Sequence, residues 1–150
     1  MIDFIMQKEQ KYQEVASILL RFATALNFLS PVASRLSLWG QQSSGWTNFL
    51  SYTAEVNSFA PEKVIPHLAY IATILEIMIG ILLIVGYKTR WAAIGASVLT
   101  FIFALAMTYS FGIKTPLDYA VFVDCTSAFL LATLPSYKWS IDEWILKRQV

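Results

Sequence analysis

Four long apolar blocks, separated by short polar segments, dominate the hydrophobic pattern of the chain. They cover residues 15–36, 65–85, 91–111 and 117–134. Each has close to the ~20 mostly apolar residues with which an α-helix crosses roughly 30 Å of hydrocarbon. The connections between the last three blocks are short, so these helices must be antiparallel neighbours. The pattern therefore predicts an all-α protein, with residues 1–150 forming one domain built as an antiparallel bundle of four transmembrane helices.

The first block is the weakest, because polar residues interrupt it. They are Arg21, Asn27, Pro31 and Arg35. The polar positions fall near one helical face, which also suits an amphipathic helix lying on the membrane surface. We favour a membrane-spanning helix, because Glu76 and Asp124 in later blocks would otherwise have to face lipid, which is costly.

One long connection, residues 37–64, separates the first two blocks. Within it, apolar and aromatic residues of the segment 45–59 recur at about helical spacing. The spacing predicts a short helix lying across the outer mouth of the bundle. An irregular loop is the alternative interpretation of the same segment.

Composition supports a membrane protein and excludes other classes. Hydrophobic residues make up 57 % of the chain and charged residues 14 %, against roughly 45–50 % and 25 % in soluble domains. A net charge of +1 gives no electrostatic basis for binding nucleic acid. Cys125 is the only cysteine, so the chain can form neither an internal disulfide nor a C-x-x-C redox pair.

The distribution of basic residues predicts the orientation in the membrane. On the side that includes both termini lie Lys8, Lys11, Lys88, Arg90, Lys138, Lys147 and Arg148, and on the other side lie Arg35, Lys63 and Lys114. Because basic residues are enriched in cytoplasmic flanks, we expect both termini in the cytoplasm.

Arg21 and Glu76 are the first candidate site residues. Counted from the inner ends of their blocks, Arg21 lies at a depth of roughly 9 Å and Glu76 at roughly 14 Å. The spacing predicts an Arg21–Glu76 ion pair between the first and second spans, which would offset the desolvation of both groups. Such a pair either fixes the register of the two helices or binds a ligand or a proton.

A second candidate group lies nearer the outer end. Asp124, His67 and Arg35 are predicted to cluster under the long loop, where they would pass protons or hold a polar headgroup. The alternatives are an aspartate that only locks the bundle by a hydrogen bond, or a neutral, protonated aspartate, with His67 as an ordinary interfacial residue. No metal site is expected, because one histidine, one cysteine and scattered carboxylates make a poor ligand set. The sequence assigns no catalytic residue.

Short motifs in the first three blocks resemble the DoxX-like family of small bacterial membrane proteins. They are LLRFATAL around Arg21, EIMIGILLIVGYKTR from Glu76 to Arg90, and WAAIGASVL in the third block. The resemblance implies a four-helix protein of the bacterial inner membrane, with Arg21 and Glu76 at the matching polar positions. It also implies an association with thiosulfate- or quinol-linked oxidoreductase complexes, as for some members of the family.

Three functions are consistent with these features. The first is a membrane subunit of a respiratory complex that contacts quinone and works with partner redox subunits, which would supply the redox cofactors. The second is a small proton-linked carrier that uses Glu76 and Asp124. The third is a non-catalytic scaffold that docks a partner protein through the segment 45–59. Small residues in the third block also allow contact with a second copy of the chain.

Overall fold

Helices are the only regular secondary structure among the described residues. The computed structural model describes residues 2–149, and the side chains of residues 10–148. The α-helices are α1 (Ile2–Arg35), α2 (Gly45–Val56), α3 (Ile65–Val85), α4 (Thr89–Phe111), α5 (Lys114–Asp118), α6 (Val121–Thr133) and α7 (Ile141–Gln149), with 3₁₀ turns at Gly40–Gln42 and Glu62–Val64. The predicted all-α class is confirmed.

Small side chains let the long helices pack closely. α1 packs mainly against α3, and α4 mainly against α6. Ala93 and Ala96 of α4 and Ala128 of α6 are completely buried. Gly80 of α3 lies directly under Leu29 of α1, where an added Cβ would be 2.6 Å from Leu29 Cγ. Close approach through alanine and glycine is typical of helix packing in membranes.

Three helical segments are long and apolar enough to cross a membrane, namely Gln10–Arg35, Glu62–Val85 and Thr89–Phe111. Large apolar side chains point away from the bundle along all three, including Leu19, Ile74, Ile81, Phe101 and Leu105. An exposed apolar surface of this extent is unfavourable in water but suits lipid. The first three predicted spans are therefore confirmed as helices of spanning length.

The fourth predicted span is not one helix. Residues 117–134 are divided between the end of α5 and α6, because Ala120 adopts a left-handed conformation with φ of 55°, which ends an α-helix. α6 has 13 residues and is about 20 Å long. The prediction of a single continuous helix over 117–134 is therefore wrong, although α6 packs along α4 as the fourth wall of the bundle.

The short helix predicted in the long connection is present as α2. The Trp46 ring lies against Tyr70 of α3, with ring centroids 4.8 Å apart. At the other end of α2, Ser110 of α4 donates a hydrogen bond to the Val56 carbonyl at 2.6 Å. α2 also contacts α1. It therefore extends across the bundle from α3 to α4 and closes one end of it.

At the opposite end, the C-terminal segment folds back onto the turn between α3 and α4. The Asp142 amide donates to the Gly86 carbonyl at 3.0 Å. The Asp142 carboxylate accepts hydrogen bonds from the amides of Lys88 and Thr89, both at 2.7 Å. Since these amides begin α4, Asp142 caps that helix from a distant part of the chain.

Candidate functional site

Arg35 and Glu76 form a buried ion pair between the end of α1 and the middle of α3. Arg35 Nη2 lies 2.8 Å from Glu76 Oε2, and both residues are 5 % exposed. Arg35 Nη1 donates to the Thr73 hydroxyl at 2.8 Å, and the guanidinium lies 3.8 Å from the centre of the Phe49 ring of α2. The guanidinium is therefore held on three sides, by a carboxylate, a hydroxyl and an aromatic face.

Arg21 does not pair with Glu76, so the predicted Arg21–Glu76 ion pair is wrong. Arg21 donates from Nη1 to the Lys138 carbonyl at 3.1 Å and from Nη2 to the Trp139 carbonyl at 2.7 Å. Its side chain is 1 % exposed. Arg21 therefore fastens the C-terminal segment to α1.

The register of α1 against α3 explains the error. Arg35 lies level with Glu76, Leu29 with Gly80, and the Arg21 side chain beside Gly86. These pairs place Arg21 about 15 Å from Glu76 along the helix axis. The sequence-based depths assumed that residues 15 and 85 were level, but α1 continues well beyond residue 15 toward the N-terminus.

The predicted cluster of Asp124, His67 and Arg35 is not formed. Asp124 Oδ1 accepts a hydrogen bond from Asn27 Nδ2 at 3.1 Å. His67 is exposed near the start of α3, and its Nδ1 lies 3.2 Å from the Lys63 carbonyl one turn earlier. Arg35 is occupied by Glu76, which lies two turns deeper on α3 than His67. Asp124, His67 and Arg35 therefore make three separate contacts.

A cavity of about 610 Å³ lies beneath α2 and joins two of these contacts. The Arg35–Glu76 pair and the Asn27–Asp124 pair both line it. Most of the remaining wall is apolar, including Phe28, Leu99, Phe103, Ala106 and Met107. The arrangement suits a ligand with an apolar body and a polar group, since such sites combine hydrophobic walls with a few placed polar side chains.

α2 supplies one wall of the cavity, whereas the sequence analysis considered this segment only as a docking surface for a partner protein. Phe49, Tyr52, Thr53, Val56 and Asn57 all line the cavity. Their spacing of three and four residues places them on one face of α2. That periodicity predicted a helix across the outer mouth of the bundle, but nothing in the sequence indicates that a cavity lies beneath this face.

Several residues that line the cavity are also exposed on the outside of the bundle. Among its lining residues, Ile71 is 56 % exposed, Leu75 39 % and Ile102 53 %. The first two lie on α3 and the third on α4. In a bilayer these side chains would face hydrocarbon, so part of the cavity wall is also a lipid-facing surface.

The described residues contain no group of three or more histidine, cysteine, aspartate or glutamate side chains placed to hold a metal ion. Cys125 Sγ instead lies 3.4 Å from the Ser97 carbonyl on α4 and packs as part of the α4–α6 contact. Among the described side chains, the cavity polar groups are thus an arginine, two carboxylates, amides and hydroxyls.

Comparison with known proteins identifies the family. The DoxX family model matches residues 16–109, which is more than half of the chain and includes Arg21, Arg35 and Glu76. The chain belongs to the DoxX family. No curated protein and no solved structure matches it. Together with the three apolar helices of spanning length, membership of the DoxX family indicates a small membrane protein. The match ends within α4, so Asp124 and the C-terminal segment lie beyond it.

Proposed function

We propose that this DoxX-family protein binds a quinone in the cavity beneath α2 and serves as a membrane subunit associated with a respiratory oxidoreductase complex. In this proposal α1, α3 and α4 span the bacterial inner membrane, α5 and α6 together form the fourth crossing, and both termini lie in the cytoplasm. The single observation that carries it is an apolar cavity, bordered by lipid-facing side chains, with a buried arginine in its wall.

The chemistry of the cavity favours a quinone among lipophilic ligands. A quinone ring offers carbonyl oxygens, which accept hydrogen bonds, and an arginine supplies donors in a fixed planar arrangement. Arg35 presents such donors, and aromatic side chains such as Phe28 and Phe103 line the same cavity. The isoprenoid tail of the quinone would leave between Ile71 and Ile102 into the bilayer.

The electrons for quinone chemistry would come from a partner subunit. One histidine and one cysteine cannot supply a bis-histidine haem or a four-cysteine iron–sulfur ligand set. The chain's own residues would bind and orient the quinone. The carboxylate of Glu76, beside Arg35, would serve as a proton acceptor near the quinone ring. The oxidoreductase partner supplies the redox chemistry in this proposal.

The test is the quinone content of the protein purified in mild detergent. We expect near-stoichiometric quinone in the lipid extract of the wild-type protein, measured by chromatography and mass spectrometry. Arg35→Gln should lower it roughly tenfold, because one lost charged hydrogen bond costs about 1.5 kcal/mol or more. Arg90→Gln, at an exposed arginine far from the cavity, is the matched control. Wild-type protein without quinone, or equal content in Arg35→Gln, would refute the proposal.

A second candidate function, a proton-linked carrier, rests on the presence of two carboxylates in one cavity. Glu76 and Asp124 both line it, and carboxylates at membrane depth are typical of proton relays. Reconstituted vesicles would then show proton flux that Glu76→Gln abolishes. Flux unchanged by this substitution would exclude the carrier.

The proposed orientation is testable separately. With Cys125→Ser as background, a cysteine introduced by Arg90→Cys should react with a membrane-impermeant maleimide only in inside-out vesicles. A cysteine introduced by Lys114→Cys, at the other end of α4, should react only in right-side-out vesicles. The reverse pattern would place both termini outside.

A further inference from the structure

A second concave surface lies at the other end of the bundle, far from the cavity beneath α2. It is a groove of about 410 Å³ between the last turn of α3 and the C-terminal segment, and we call it the α7 groove. Its walls include Val85, Trp139, Ile141, Trp144 and Lys147. Neither the family match nor the proposed function uses it, because α7 lies beyond residues 16–109.

The wall of the α7 groove is held rigidly in place. Arg21 binds two consecutive carbonyls just before α7, and Asp142 in its first turn caps α4. Gly86 has φ of 70°, and an added Cβ there would clash with Ser140. Since the segment is tied to α1, to α4 and to the turn between α3 and α4, the groove is preformed.

Exposed tryptophans and aliphatic side chains give the α7 groove an apolar lining. Trp139 is 83 % exposed and Trp144 53 %. Val85 of the groove lies one turn from Ile81 on the same face of α3, and both are exposed. The apolar surface therefore continues from the groove along the outside of a spanning helix. Tryptophan at the end of such a helix is typical of the headgroup level of a bilayer.

Positive charge is concentrated around this groove. The turn 86–90 and the segment 137–148 together contain five basic and two acidic residues, while the whole chain has a net charge of only +1. Three acids face these charges: Asp142 accepts hydrogen bonds from two amides, Glu143 lies 3.5 Å from Lys138 and 3.0 Å from Lys147, and Glu14 of α1 lies 3.4 Å from Lys138. Arg148 stacks on Trp144, 3.6 Å from the ring centre. The rim therefore has excess positive charge, which complements an anion.

We infer that the α7 groove binds an anionic phospholipid, with Lys147 and Arg148 facing the phosphate and an acyl chain lying along Val85 and Ile81. A basic rim beside exposed tryptophans and a lipid-facing helix matches both parts of such a molecule. Glu143 competes with the phosphate for Lys147 and so limits the affinity. The inference does not depend on the cavity beneath α2 or on its ligand.

The experiment is native mass spectrometry of the full chain in detergent, titrated with phosphatidylglycerol or with phosphatidylcholine of the same acyl chains. We expect the wild-type protein to prefer phosphatidylglycerol roughly tenfold. The double variant Lys147→Gln/Arg148→Gln should lose this preference, since each basic residue near an anionic headgroup contributes about a fivefold factor. Lys63→Gln/Lys114→Gln, which removes two positive charges at the other end, should keep it.

Glu143→Gln gives a change in the opposite direction. It removes the competing charge but keeps a side-chain oxygen that can accept the hydrogen bond from the Trp139 amide. Phosphatidylglycerol should therefore bind severalfold more tightly. Equal binding of the two lipids, equal loss in the two double variants, or weaker binding in Glu143→Gln would each overturn the inference. If the Lys147→Gln/Arg148→Gln protein does not fold, the Glu143→Gln result alone decides it.

Discussion

Two arginines on α1, four turns apart, are both buried but have different surroundings. Arg21, at 1 % exposure, donates to two main-chain carbonyls of the C-terminal segment. Arg35, at 5 % exposure, faces the carboxylate of Glu76 and the ring of Phe49 at the edge of a cavity. Arg21 therefore holds the C-terminal segment in place at one end of the bundle, whereas Arg35 is a candidate binding group at the other end.

The difference shows that burial of a charge does not identify a binding site. The partners of Arg21 are main-chain carbonyls of Lys138 and Trp139, so a ligand could displace them only by moving the C-terminal segment. Arg35 is held by side chains, and its surroundings include empty space that a ligand can fill. An incoming carbonyl oxygen could share its donors without unfolding any helix.

The largest expected effect is that of Arg21→Ala. Two carbonyls would lose a charged donor, and such hydrogen bonds are each worth roughly 1.5–3 kcal/mol, so unfolding should become easier by about 4 kcal/mol. The measurement is thermal unfolding in detergent, together with hydrogen exchange of the segment 137–149. Lys63→Ala, at an exposed lysine at the other end of the bundle, is the control and should change stability by less than about 1 kcal/mol. Equal effects of the two substitutions would mean that Arg21 does not hold the C-terminal segment against α1.

Breaking the Arg35–Glu76 ion pair should destabilise the protein somewhat less. A second substitution should restore most of the lost stability. Arg35→Leu alone leaves Glu76 as an unpaired buried charge and should cost about 3 kcal/mol. The double variant Arg35→Leu/Glu76→Leu should recover most of this loss, since apolar replacement of a whole buried pair is often neutral. Quinone content should remain low in both. Recovery of quinone together with stability would show that the pair is only structural.

Sequence reasoning predicted the helices well because their signals are local. The apolar blocks, the short turn around Gly86 and the periodicity of α2 each depend on a few neighbouring residues, and all three are present in the structure. The break at Ala120 was missed because neither Tyr119 nor Ala120 is a helix-breaking residue. Its left-handed conformation joins two local hydrogen-bonded turns, in which the Ala120 amide donates to the Leu117 carbonyl and the Ala120 carbonyl accepts from the Val123 amide.

The candidate site was harder to predict because it depends on register. Arg21, Arg35, Glu76 and Asp124 were all selected as intramembrane polar residues, and two of them do form the buried ion pair. Which arginine meets Glu76 depends on how far α1 slides along α3, and long apolar helices contain little local information about that. The Leu29–Gly80 contact reports the register directly, but it becomes visible only in three dimensions.

The cap on α4 should have an intermediate effect. Asp142→Ala removes an acceptor from the amides of Lys88 and Thr89, and loss of a helix cap typically costs about 1–2 kcal/mol. Unfolding in detergent should show this loss, and hydrogen exchange at the two amides should accelerate. Asp118→Ala is the control, because its ion pair with Lys114 lies at the surface and should contribute little. If both variants melt alike, Asp142 does not cap α4.

The smallest expected effect is a pH dependence at the same end of the bundle. Hydrogen bonds from Lys147 and from the Trp139 amide lower the pKa of Glu143 below its ordinary value. A carboxyl group with a lowered pKa stabilises the folded segment above its ordinary pKa, and this stability is lost as the pH falls through the lowered value. Because the group is near the surface, about 0.5 kcal/mol is expected. Hydrogen exchange at Trp139 should therefore accelerate in acid, after correction for intrinsic exchange rates. Glu143→Gln should remove this change, and an identical acid response in that variant would assign the effect to another group.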